Sequence, residues 1–217
     1  MPRPQGILAG VEPEDLTDAA AFVHETLETE LEADWNAPAG SLEWSCRRTL
    51  DHILDCHLFY ANHLARRATI HLPSIRDGDA SVGVAGTLTN LLGTAAILAD
   101  VARATPADVR AFHTSGMADA DGFLAMGCDE ALVHGWDIAE GLDVDFEPPV
   151  ELAERVLRRL FPWAPEDEHP WDALLWANGR IPLDDLPQSD PGWDWWSAPL
   201  DEWDGEVARG SQPPGWG

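Results

Sequence analysis

The sequence predicts an all-α fold: a four-helix bundle with short C-terminal helices and an irregular, Trp-rich tail. Four long segments repeat apolar side chains at steps of three and four, and two shorter ones follow. Residues 181–217 then show little periodicity while holding Trp193, Trp195, Trp196, Trp203 and Trp216.

The first helix is expected from Pro13 to about residue 33, with Leu16, Ala20, Val23, Leu27 and Leu31 on one stripe. An Ala-, Pro- and Gly-rich loop, NAPAGSLE, separates it from the second. That helix opens at Trp44-Ser45, Ser45 as N-cap and Trp44 as hydrophobic staple, although Arg48 stands where a capping box wants Glu. It runs to about residue 69, with Leu50, Ile53, Tyr60 and Leu64 on its apolar face and His52, Cys56, Phe59 and His63 on a stripe beside it. Residues 70–80 read as a loop. The third helix, about 81–103, aligns Val84, Leu88, Leu91, Ala95, Leu98 and Ala102 in a seam. Gly83, Gly86 and Gly93 weaken it by up to about 1 kcal/mol each. Thr105-Pro106 starts a short helical turn, and FHTSGMADADG leads into the fourth helix, about 119–141, with Gly141 as its left-handed stop. Residues 149–161 and 170–178 read as the shorter helices. The tail holds too many aromatic residues for a disordered segment and is expected to wrap over the bundle.

A chain of 217 residues supports one good-sized core. Its formal net charge of -26 opposes binding to nucleic acid and to anionic membranes. No apolar run is expected to span a bilayer, and the N-terminal residues lack the apolar region of a secretory signal, which points to the cytoplasm. All 13 basic residues are arginine. Cys46, Cys56 and Cys128 have no CxxC spacing and read as reduced thiols.

The chemistry concentrates in the fourth helix, in CDEALVHGWDIAEG. Glu130, His134 and Asp137 fall within roughly 60° of one another on one helical face. Apolar side chains flank that face on both sides: Leu124, Ala131, Ile138 and Leu142, then Val133 and Trp136. Ionisable groups buried there need partners, because leaving them unpaired costs several kcal/mol. Two imidazoles and a carboxylate make a transition-metal site suited to Zn, Ni, Fe or Mn, and three protein ligands leave room for water or substrate. Glu130 and His134 would supply two ligands, and His52 is the best third donor. Asp137 could orient His134. Each piece also has an ordinary reading, as a hydrogen-bonded helix pair or a satisfied structural histidine. His63 lies three turns from His52, about 16 Å along the axis, too far to share a metal. Cys56 could reach a metal or fill core space, His113 could line the pocket mouth, and His24, His57, His71 and His169 read as structural. No nucleophile elbow, phosphate loop or HExxH motif is present.

Trp44-Ser-Cys-Arg-Arg-Thr-Leu-Asp-His52, followed by Asp129-Glu130-Ala-Leu-Val-His134-Gly-Trp-Asp137-Ile-Ala, resembles the DinB-like superfamily. The nearest branch is the metal-binding N-terminal domain of mycothiol-dependent maleylpyruvate isomerases. WDALLWANGRIPL and APLDEWDG are similar to the ends of further relatives. The resemblance implies up-down-down-up connectivity, with a metal-binding bundle over residues 1–143 and residues 144–217 as an extension packed on it. It carries the metal-ligand roles onto His52, Glu130 and His134. It also implies a divalent ion, zinc first, that activates mycothiol or a similar thiol for isomerisation or transfer to an electrophile, the second substrate being unspecified. The family's separate C-terminal domain has no clear counterpart here, and no protein general base is identified. A hydrolase on the same metal, or a helical protein that binds metal without catalysis, are the rival expectations.

Overall fold

The computed structural model describes residues 10–76, 78, 81–183, 186 and 192–209. Among them are six helices: α1 (Pro13–Leu27), α2 (Cys46–Ala65), α3 (Val84–Ala104), α4 (Ala120–Leu142), α5 (Val150–Leu160) and α6 (Pro170–Ala177). One small antiparallel hairpin, β1 (Ala111–His113) and β2 (Gly116–Ala118), sits between α3 and α4. The fold is all-α in its mass.

α1 and α2 each pack against both α3 and α4, and α5 joins α4 to α6. α4 is therefore the inner helix, buried without a break from Gly122 to Val133. That placement explains its sequence, which reads as nearly all small and apolar and leaves Asp129 and Glu130 inside the protein. The core stripes of α2 (Leu50, Ile53, Tyr60, Leu64) and α3 (Leu88, Leu91, Ala95, Leu98, Ala102) are buried as their spacing requires.

Several boundaries differ from the sequence expectation, each for a physical reason. α1 stops at Leu27 and tightens into a 3-10 turn at Glu28–Glu30, leaving Leu31 exposed. The Glu-rich run ETELE is opposed by the negative end of the helix dipole. α2 ends at Ala65, two residues before Arg67 takes a positive φ of 48°. After Thr105-Pro106 the chain makes a single turn closed by Val109 N–H to Pro106 O, and FHTSGMA forms the hairpin. Gly116, at φ 133°, permits its tight reversal.

Gly141 is not the helix stop: Asp143 takes the left-handed conformation and returns its N–H to Ala139 O. Gly141 remains inside the last turn, where a Cβ would collide with Pro38 O and stand 2.6 Å from Cys46 Sγ. The glycine serves close packing against the α1–α2 loop.

α3 also corrects the expectation about apolar runs. At 21 residues, with mean hydropathy 1.4 in its best window, it is long and apolar enough to cross a membrane by length and composition alone. Interspersed Gly, Ala and Thr obscure this, yet no charge occurs between Val84 and Leu98. Its buried side packs on α1, α2 and α4.

Of the tail aromatics, Trp193 packs edge-on against Trp176 and Trp163, and Trp196 N–H bonds Leu160 O. Trp216 lies outside the described residues. Arg159, almost fully buried, pins this segment: it donates to Trp196 O, Ser197 O and the carboxylates of Asp119 and Asp121. All three cysteines are unpaired thiols.

Candidate metal centre

α2 begins where Ser45 Oγ accepts Arg48 N–H at 3.2 Å, which sets the helix phase that turns His52 toward α4. Trp44 packs edge-on against His52, ring centres 4.9 Å apart, and lies beneath the Arg48 guanidinium. Trp44 thus braces the imidazole from outside and does not fold back as a simple staple.

α4 brings Glu130 and His134 to face it. Glu130 Oε2 lies 3.5 Å from His52 Nε2 and 3.3 Å from His134 Nε2. One donor atom from each of the three residues falls within 4.8 Å of the other two. Ligands about 2.0–2.1 Å from a tetrahedral ion are separated by about 3.3–3.4 Å, so both spacings match the edges of a coordination polyhedron. The imidazoles are still accessible, with side-chain exposures of 25% for His52 and 15% for His134.

The surrounding groups fix the donors. Asp137, fully buried, accepts His134 Nδ1–H at 2.9 Å, leaving the Nε2 lone pair for the centre. Arg180 then holds Asp137 with Nε at 3.0 Å and Nη2 at 2.8 Å. On the other side, Tyr60 OH donates to Glu130 Oε1 at 2.9 Å. The neighbouring Asp129 accepts from Asn178 Nδ2 at 3.0 Å and Trp195 Nε1 at 3.1 Å.

Burial alone would favour a neutral Glu130, but the two histidines outweigh it and hold the carboxyl well below its ordinary range. Burial likewise opposes a charged His134, yet hydrogen bonds to Asp137 and Glu130 raise it to about 9. Asp129 is pushed up to about 7, chiefly by burial and then by the Glu130 charge. The charged His134 is the positive partner of this buried carboxylate, and the same donor set would suit a divalent cation. Any such ion must displace the proton from His134.

The other sequence candidates separate cleanly. Cys56 Sγ is 3.4 Å from His52 Nε2, and burial raises its thiol well above the ordinary range, so it stands beside the centre as a neutral thiol. His113 is buried on β1, accepts Ser115 N–H at Nδ1, and packs among Tyr60, Phe123 and Trp195. It forms part of an inner wall and is not at a mouth. His63 donates to Phe59 O and accepts Leu72 N–H, a structural role. His57 is sealed between Gly127 O and Thr94 Oγ1. His24 and His169 lie near acidic neighbours one turn away, and His71 packs against Phe59.

Sequence reasoning missed Tyr60, Arg180, Asn178 and Trp195 as site groups. Tyr60 carried a signal, since it lies two turns beyond His52 and is the chain's only tyrosine. Arg180 carried another in Asn-Gly-Arg. Gly179, at φ 73°, closes α6 with Gly179 N–H to Trp176 O and Arg180 N–H to Leu175 O, the paired bonds of a glycine-terminated helix. The turn aims Arg180 at Asp137. A scan against family models and searches of curated proteins and solved structures returned no match.

Proposed function

We propose that the chain is a metal-dependent thiol transferase or isomerase-like enzyme, built on a DinB-like four-helix bundle of up-down-down-up connectivity. His52, Glu130 and His134 hold the divalent ion, zinc first, and a small thiol of the mycothiol type is the cosubstrate. The observation that carries this reading is the spacing of two inward Nε2 atoms around Glu130 Oε2, 3.5 and 3.3 Å, on imidazoles that each keep an accessible edge. When bound, the ion supplies a Lewis acid that favours the thiolate over the thiol. The protein's part is to keep Glu130 anionic, to present both Nε2 lone pairs, and to hold His134 in one tautomer through Asp137 and Arg180. Tyr60, His113 and Trp195 pack ring to ring as an aromatic wall on the inner side.

Metal analysis of protein purified without a His-tag is the first test, with about one zinc per chain expected. The second follows loss of free thiol in the presence of a chromogenic aryl halide. The S–C bond forms, halide leaves, and the thiol proton passes to solvent. Turnover that requires both metal and thiol supports the proposal. Ester hydrolysis indifferent to added thiol would make the protein a hydrolase, and metal-dependent stability with no turnover would make it a non-catalytic metal binder.

A further inference from the structure

The carboxylate of Glu130 has two oxygens with different company. Oε2 faces both imidazoles, whereas Oε1 accepts the phenolic hydrogen of Tyr60 at 2.9 Å. Both side chains are buried, and the Tyr60 ring is held by Phe59, His113 and Phe123 at centroid distances of 6.0, 5.4 and 5.8 Å. A ring packed on three sides cannot swing its hydroxyl away without disturbing α2, β1 and α4 together.

We propose that Tyr60 is a positioning residue that confines Glu130 to one ligand oxygen and so preserves a coordination position for an exogenous ligand. The inference rests on the metal reading above. A carboxylate can meet a cation through one oxygen or two, and the second oxygen costs the site a position. With Oε1 engaged by Tyr60, three donor atoms converge among the described residues: Nε2 of His52, Oε2 of Glu130 and Nε2 of His134. Three protein donors are the arrangement of catalytic zinc sites, whereas four close the site. The ligand class admitted is a small anionic donor, such as a thiolate or hydroxide.

The test compares cobalt(II)-loaded wild type with Tyr60→Phe, using azide as the probe ligand and ligand-field absorption as the readout. Wild type should take up cobalt and change its visible bands on azide addition. The variant should still bind cobalt, show bands typical of a higher coordination number, and bind azide at least about tenfold more weakly. Identical spectra and unchanged azide affinity in the variant would overturn the inference. Because Tyr60 is the only tyrosine, ring-fluorinated tyrosine labels it alone in the otherwise intact protein. Its single fluorine NMR signal should shift on zinc addition, which keeps the question open to test if Tyr60→Phe fails to fold. A signal indifferent to zinc, in protein that binds zinc, sinks the Tyr60 inference and spares the metal centre. Failure of wild type to bind cobalt or zinc sinks both.

Discussion

His52 and His57 sit five residues apart on the same helix, and their surroundings could hardly differ more. His57 is fully buried, with Nε2 3.1 Å from Gly127 O and Nδ1 3.3 Å from Thr94 Oγ1, so both ring nitrogens are satisfied by uncharged groups. His52 keeps an accessible edge and turns Nε2 toward a buried carboxylate that a second imidazole also faces. Burial drives His57 down to about 4, which keeps it neutral throughout the physiological range. The contrast separates a histidine used as packing from one used as a donor. What decides is whether the ring nitrogens meet neutral backbone and hydroxyl groups or a shared anion.

The contrast breaks most visibly if zinc content fails to follow it. His134→Ala should reduce bound zinc from about one per chain to none, whereas His57→Ala should leave the stoichiometry intact. Elemental analysis of both variants measures this directly. Equal zinc in the two would erase the distinction.

Stability should follow the opposite order. His57→Ala opens a cavity beside Gly127 and orphans its hydrogen-bond partners, an expected loss of about 2–4 kcal/mol in urea unfolding. A loss under about 1 kcal/mol would show that the His57 pocket collapses without penalty.

Arg180→Gln sharpens the comparison at longer range, because it touches neither histidine. Removing the guanidinium leaves Asp137 buried with only His134 to face, and zinc affinity should weaken about 10–100-fold in competition with a chromogenic chelator. Unchanged affinity would show that Asp137 orients His134 without help.

The remaining comparison is by pH. His57 and His113 both fall to about 4 in the folded protein from an ordinary value of 6.5, mainly through burial. Between those values the unfolded chain binds more protons, so the contribution to stability is full above about 6.5 and lost as pH falls toward 4. Each site accounts for on the order of 3 kcal/mol across that window. In His57→Gln the urea midpoint should decline less steeply over this range, with a slope reduced by about one proton. An unchanged slope would mean that His57 does not titrate with folding.

Much of the architecture was legible because α2, α3 and α4 are long and their apolar spacing is regular; Leu50, Ile53, Leu88, Leu91 and Leu98 all lie where their period puts them. The hairpin was not, since two three-residue strands carry too short an alternation to register against helical flanks. Within the site, Glu130, His134 and Asp137 were readable because one helix fixes their relative phase, and His52 because its helix presents a single matching face. Arg180, Asn178 and Trp195 come from α6 and the tail. Their distances to α4 are set by tertiary packing that no local period encodes. Gly141 shows the same limit in reverse: a helix-ending glycine is a sound local inference, but the approach of Pro38 decides its role.

The Arg180–Asp137 pair has a bearing on how the protein can be divided. A fragment ending near residue 143 would retain Nε2 of His52, Oε2 of Glu130 and Nε2 of His134, yet deprive the buried Asp137 of Arg180 and strip Asp129 of Asn178 and Trp195. Covalently the last third of the chain is an appendage; through Arg180 it supplies the counter-ion to Asp137, and the helices before it are incomplete without it.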